Sequence, residues 1–467
     1  MNYIEKAAKI KPTARQIKWN QLEFYGFVHF GLYTYTDTET PDGSDAKAKF
    51  FNPIHFDAEQ WVKAFKSAGM SALLLTCKHH EGFCLWPTAY TNFSVKNCPW
   101  KNGQSDIVKE VAHACKKHGL QFGVYLSPWD MHETTYGTEA YNIFFKNQLR
   151  ELLTNYGDIF CVWFDGACRE TKIKQDYDWD GYYALIRELQ PNASICICGP
   201  DVRWCGNEAG VCRDEEWSVV PKEIMTTERN PGYWRQIDTI PNATWPDLGS
   251  REFISKGQEL MWYPAEVDVS IRPSWGYVKE DDTKLHSLNT LMTMYLRSVG
   301  GNANLLLNVP PNPDGLFAEA DIERLSEMGS ALQKLFSNPA PLPENCVSSS
   351  FAAEHEPEFV YSSNRDTYWQ SGTDDVSPAL TLSWDKPIEL DMAVIQETIE
   401  EGQHIESFDL DYLDEENHWK TFFSATTIGY KRICQFSKIK TKQVRFKVNA
   451  SRSFAAITYL KFYQTNS

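Results

Sequence analysis

Short apolar runs recur along the first two-thirds of this chain, each followed by a segment with helical spacing, and that alternation narrows the possible folds more than any other property. Residues 24–33 are aromatic and extended. Residues 71–76, 121–127, 159–164 and 194–198 are short and apolar, as strands covered on both faces must be. Between them, Asp57 caps a segment that places Trp61, Phe65 and Ala68 on one face and closes at Gly69. Ile107, Val111, Ala114 and Cys115 repeat the pattern before Gly119, and residues 141–156 and 179–189 follow it. Strand, helix, strand at intervals of roughly 40 residues predicts parallel β/α units. Leu305, Leu306, Leu307 and Asn308 read as a last strand and residues 322–335 as a closing helix, while between Gly199 and Lys279 the pattern blurs. The expected fold class is α/β, a (β/α)8-type (TIM-like) barrel over residues 1–337 that lacks a helix or two.

At Asn338-Pro-Ala-Pro-Leu-Pro343 the character changes, because a proline-rich stretch cannot continue a helix. Residues 338–346 read as a linker. Beyond it, alternating runs at 380–384, 408–412, 444–448 and 456–463, separated by turns, predict a C-terminal antiparallel β-sandwich over residues 347–467.

With 62 acidic against 46 basic residues the net charge is −16, which argues against nucleic acid or an anionic membrane as partner. No apolar stretch approaches the roughly 18 residues of a membrane span. The first 20 residues lack the apolar run of a signal peptide, so the chain as given reads as cytoplasmic, or periplasmic or secreted if a leader has been removed. Oligomeric state is not legible. Of the 12 cysteines, Cys77, Cys161, Cys196 and Cys198 lie in apolar runs, where a thiol serves as a small hydrophobe. Cys196 and Cys198 alternate and are expected on one face of a strand, without the paired C-x-x-C spacing of a zinc site.

Polar and aromatic residues gather at the expected C-terminal ends of the strands, where parallel α/β proteins build their sites. The runs end in His29-Phe30-Gly31, Lys78-His79-His80-Glu81-Gly82-Phe83, Tyr125-Leu126-Ser127-Pro128-Trp129 and Trp163-Phe164-Asp165-Gly166. Asp165 is a carboxylate delivered by an apolar strand into a turn; the alternative is a helix cap. Three histidines beside a glutamate invite a metal, but His79 and His80 are adjacent and should point to opposite sides, and no H-E-x-x-H helix supports them. Hydrogen bonding to a polyol, metal ligation and plain core packing are the three readings. Aromatic rings beside carboxylates suit a sugar, whose C–H faces pack on rings while its hydroxyls bond to His and Glu.

Taken in order, His29-Phe30-Gly31, Lys78 to Phe83 and Trp163 to Gly166 resemble the α-L-fucosidases of glycoside hydrolase family 29. Arg203-Trp204-Cys205-Gly206-Asn207-Glu208-Ala209-Gly210 resembles the acid/base segment of the branch that prefers α-1,3 and α-1,4 linkages, and Pro264 to Pro273 and Asn304 to Val309 are similar to it too. The resemblance covers residues 18–335. It implies a retaining exo-fucosidase with a β/α barrel and a C-terminal sandwich of the carbohydrate-binding-module kind, without cofactor or metal, acting on fucosylated (Lewis-type) oligosaccharides, with Asp165 as nucleophile and Glu208 as acid/base. His29, His79, His80, Tyr125, Trp163, Glu266, Trp86 and Trp275 would hold substrate. Glu266 is the runner-up as acid/base. A broad-specificity fucosidase, a non-catalytic carbohydrate-binding protein and a metal-dependent barrel hydrolase are the rival readings. Every matched motif lies before residue 310, so the sandwich is expected to support the barrel rather than form part of the site.

Overall fold

The computed structural model describes residues 2–36, 43–167, 173–229, 241–362, 364 and 366–465. Strands β1 (Phe24–Val28), β2 (Ala72–Lys78), β3 (Gln121–Leu126), β4 (Ile159–Phe164), β5 (Ser194–Ile197) and β6 (Arg203–Trp204) are followed by a short antiparallel pair, β7 (Val219–Pro221) and β8 (Leu260–Trp262). β9 (Ala265–Ser270) and β10 (Ala303–Asn308) complete an eight-stranded parallel sheet ordered β5-β4-β3-β2-β1-β10-β9-β6. A bridge between Cys196 and Val202, with Ile197 N donating to Val202 O at 2.8 Å, joins the two ends and closes the barrel. The expected barrel is therefore the observed one. No helix separates β5 from β6, which are joined by a short turn, and the blurred region hides β6 and β9.

Period-two alternation sorts the strand residues into two cores. Tyr25 and Phe27, Leu74, Tyr125, Cys161 and Trp163, Cys196 and Leu306 point inward and fill the lumen, where Trp19 joins them. Outward residues such as Val28, Leu73, Leu75, Val124 and Val162 meet the surrounding helices Ala58–Ser67, Ile107–His118, Glu139–Asn155 and Trp179–Leu189. Gly26 faces that shell so closely that a Cβ there would stand 2.4 Å from the Phe65 ring. The first of these helices begins as the sequence predicts, with Asp57 accepting from the backbone N–H groups of Glu59 and Gln60; at the second, Asp106 accepts from that of Lys109. Gly119, with φ +76°, ends the second of them in the left-handed region. Cys198 departs from expectation. Ile197 adopts φ +68°, which breaks the strand's alternation, so Cys196 faces the lumen and Cys198 the outer core.

After the closing helix Glu319–Leu335 come β11 (Asn345–Ser348), β12 (Trp369–Gln370), β13 (Ala379–Glu397), β14 (Ile405–Leu413), β15 (Trp419–Ala425), β16 (Arg432–Ser451) and β17 (Ala456–Tyr463). All pair antiparallel. The long strands β13 and β16 shift register between Ser383 and Ile388, so one half of β13 pairs with β11 and the other with β17. This gives the two layers of the expected sandwich, around a core that includes Trp369, Leu382, Phe408 and Phe446. Met392, Val394, Ile433 and Tyr463 pack instead into the barrel's outer core.

The turn after β9 is bolted to the closing helix by a buried ion pair. Arg272 Nε donates to Asp321 Oδ1 at 3.0 Å and Nη2 to Oδ2 at 2.7 Å, both side chains being sealed from solvent. Arg272→Ala would leave Asp321 buried without its cation, a loss of about 3–5 kcal/mol in unfolding free energy. Denaturant unfolding of the variant against the parent checks it.

Candidate active site

Seven of the eight barrel strands send groups to one mouth. Asp165 follows the last residue of β4; its Oδ2 accepts from Tyr125 Oη at 2.9 Å and its Oδ1 from Ala167 N at 2.6 Å. Burial lifts the Asp165 carboxyl above the usual range, while these two donors and the charge of His79 pull it back toward the ionised form. Tyr125 is fully buried and stacks on Trp163 at 5.3 Å between ring centroids. Tyr125 thus fixes the carboxylate from below.

The histidines have assignable tautomers. Asn308, the last residue of β10, donates from Nδ2 to Ser270 Oγ and Trp275 O at 3.0 and 2.9 Å, so its Oδ1 is the acceptor that faces His29 Nδ1 at 2.9 Å. His29 therefore carries its proton on Nδ1. Burial, and next the nearby charge of His79, hold it well below the ordinary pKa, so the ring is neutral. Ser127 Oγ donates to Trp129 O at 2.6 Å and so accepts from His80 Nδ1 at 2.7 Å, which turns His80 Nε2 toward Asp165 Oδ2, 3.8 Å away. His79 stacks on Tyr125 and sits edge-on to Tyr33. His79 and His80 were expected to diverge, but both reach the mouth with their rings 4.1 Å apart, because β2 has ended at Lys78 and the chain turns there. With Asp165 they offer ligand atoms within 4.8 Å of one another.

Across the mouth, β6 runs into the loop that carries Glu208. Glu208 is exposed, and Trp275 Nε1 donates to its Oε2 at 3.3 Å. The Trp275 ring also lies 5.2 Å from His29.

Two expectations need correcting. Glu266, expected to hold substrate, is sealed beneath the mouth, with Trp163 Nε1 donating to Oε1 at 2.6 Å and the Tyr25 hydroxyl bonded to Oε2. Burial, and then the neighbouring charge of Asp268, raise its carboxyl well above the usual range, so it is a neutral internal acid. Trp86 lies in the outer core, 1% exposed, and its Nε1 donates to Glu151 Oε2 at 2.7 Å on the helix behind β3. After Glu81 the chain doubles back, with Cys84 bridged antiparallel to Lys78 and Leu85 N donating to Cys77 O at 2.9 Å, and Trp86 enters the outer core.

Sequence reading missed Glu81 and Asp268. Glu81 is sealed from solvent with neither oxygen hydrogen-bonded among the described residues, and His79 Nδ1 stands 3.5 Å from its Oε2. Asp268 lies two residues beyond Glu266 on β9, hence on the same inward face and one layer nearer the mouth. That spacing was a readable signal. Trp204 Nε1 donates to its Oδ1 at 2.8 Å. Burial first, then the charge of Glu208 and more weakly that of Asp165, push it up to about 8, so one buried carboxyl feels both of the mouth's carboxylates.

Carboxyl groups at the C-terminal mouth of a barrel, ringed by imidazoles and indoles, are the layout of a glycoside hydrolase. The α-L-fucosidase profile matches residues 28–335, and an F5/8 type C domain profile matches 345–459. The chain is 38% identical over 460 residues to α-L-fucosidase 1 of Arabidopsis thaliana, covering 97% of this chain and 87% of that protein. A glycoside hydrolase 29 family member from a rumen bacterium superposes with a TM-score of 0.80 at 33% identity, over 98% of this chain and 78% of the other. A Ruminococcus gnavus GH29 fucosidase in complex with fucose superposes at 0.85 with 28% identity, over 98% and 95%. The chain belongs to the α-L-fucosidase family of glycoside hydrolases, family 29.

Asp268 generates a pH signature. Its folded pKa of about 8 exceeds the ordinary 3.8, so the stability that depends on its proton is present at low pH and is lost as pH rises through that interval. In thermal unfolding scans, Asp268→Asn, which keeps an acceptor for Trp204, should gain on the parent as pH increases and level off above about 8.

Proposed function

We propose that this protein is a retaining exo-α-L-fucosidase in which Asp165 is the nucleophile and Glu208 the general acid/base. The observation that carries the reading is the placing of Asp165: a strand-end carboxylate held by Tyr125 and a backbone N–H, with His80 Nε2 3.8 Å away in a cluster of imidazoles. Asp165 attacks the anomeric carbon as Glu208 gives its proton to the departing glycosidic oxygen. A fucosyl-enzyme ester forms and the aglycone leaves. Glu208, now ionised, takes a proton from water, whose oxygen displaces Asp165 and releases fucose. His29 Nε2, the acceptor its tautomer leaves over, and the unpaired oxygens of Glu81 suit sugar hydroxyls as donors, while Trp275 and Trp163 offer ring faces. The reading is metal-free, and turnover unchanged after dialysis against EDTA checks it.

Asp165→Asn should lower kcat by roughly 10³-fold or more with the fold intact. Azide should restore turnover to Asp165→Gly and yield a fucosyl azide of inverted configuration. A labelled intermediate trapped on another carboxylate would overturn the assignment.

The preferred substrates are α-1,3- and α-1,4-linked fucose on branched, Lewis-type oligosaccharides. Support comes from the loop after Trp204, which carries Glu208 to the glycosidic oxygen and so lies beside the aglycone. Binding energy from the neighbouring sugar is then realised in the transition state, and a substrate lacking it loses kcat as well as affinity. A Lewis trisaccharide should show a kcat/KM well above those of an aryl fucoside and an α-1,2-linked fucoside. Comparable values across the three would sink the linkage preference.

A further inference from the structure

Residues of the sandwich reach across to the neck of the Glu208 loop. Arg432 Nη1 donates to Asp214 O at 2.8 Å, and Gln403 Oε1 accepts from Ser218 N at 2.7 Å. The Arg452 guanidinium lies 4.2 Å above the Trp217 ring and donates to Gly249 O. Gln403, Ser218 and Trp217 are buried, so no water replaces these contacts if they are lost. Asn302 makes a further tie: its Nδ2 donates to Glu216 O at 2.8 Å, and its Oδ1 accepts from Tyr430 N of the sandwich at 2.8 Å.

The neck is itself an electrostatic knot. Glu216 is sealed from solvent between Arg203 of β6 and Arg213, whose Nη1 also donates to Cys205 O at 2.8 Å. Despite its burial, the Glu216 carboxyl is held below the usual range by those two cations. Both ends of the loop are thereby clamped, at Cys205 and at Arg213 to Ser218. Between them Gly206 and Gly210 take φ of +100° and +78°, packed against Ala243 O and the Met294 side chain. Glu208 sits on this short span with a long, exposed hydrogen bond to Trp275, so its position depends on the neck.

We propose that the sandwich is a positioning element for the general acid, with Gln403, Arg432 and Arg452 fixing the neck of the Glu208 loop. This rests on the assignment of Glu208 above. It goes beyond the expectation that the second domain only supports the barrel: its contacts fall on the catalytic loop and act on one proton transfer. Loss of alignment harms the step that needs acid assistance and spares a leaving group that departs without it.

The full-length chain tests it with Gln403→Ala and Arg432→Ala, the second touching a half-exposed side chain that the core does not require. Each is assayed on a fucosyl oligosaccharide and on an activated 2-chloro-4-nitrophenyl fucoside, after thermal unfolding confirms a folded protein. The expected result is a fall in oligosaccharide kcat of roughly ten-fold, with activated-substrate kcat within about two-fold of the parent. In a Glu208→Ala background the same substitutions should cost less than about two-fold on either substrate, because the group they align is gone. Equal losses on both substrates, or no loss in folded variants, would overturn the proposal. Glu208→Ala alone separates the two readings. If it loses equally on both substrates, the acid assignment falls and the positioning role with it; if it discriminates and the sandwich variants do not, only the positioning role falls.

Discussion

Everything at the mouth of this barrel is built on one buried carboxyl, Glu266. It lies at the centre of the lumen on β9 and takes hydrogen bonds from Tyr25 of β1 and Trp163 of β4, so three strands are tied through one side chain. Because burial keeps it neutral, the tie needs no counter-cation. The Trp163 indole that it pins is the surface on which Tyr125 stacks, and Tyr125 holds Asp165. The placing of Asp165 is thus transmitted upward from a layer beneath the mouth.

The loop that carries Glu208 is governed by a different device. Asp165 inherits rigidity from its strand, whereas Glu208 lies on an exposed span whose stiffness comes in part from the Asn207 side chain, which accepts from Ala209 N and donates to Val211 O, and in part from its ends. The Arg203–Glu216–Arg213 knot supplies it at considerable desolvation cost, offset by two cations on one carboxylate. The mouth thus keeps one carboxyl on a barrel strand and the other on a clamped loop.

Asp268 connects the two. It is the inward neighbour of Glu266 along β9, and it senses the charges of both Asp165 and Glu208 from a dry position. Its protonation state therefore couples the halves of the site, which makes β9 an electrostatic spine as well as a barrel stave.

What the sequence by itself determined is local. Apolar runs, the helix cap at Asp57 and the glycine that ends the second helix are statements about neighbours in the chain, and each stands in the structure where the residues place it. The carboxylate at the end of β4 and the imidazoles after β1 and β2 were legible for the same reason: strand ends of a parallel barrel converge on one mouth. Between Gly199 and Lys279 that legibility fails, because β6 has two residues and β5 reaches it without a helix, so neither leaves a periodic trace. Only the tertiary structure decided that Glu266 is buried and bonded on both oxygens, that Trp86 turns into the outer core, and that Asp268 lies within reach of two carboxylates. It alone decided that sandwich residues some 200 positions away grip the Glu208 loop. Burial, charge coupling and long-range contacts depend on which strands become neighbours in the closed barrel, and that pairing follows from packing the whole chain rather than from any stretch of it.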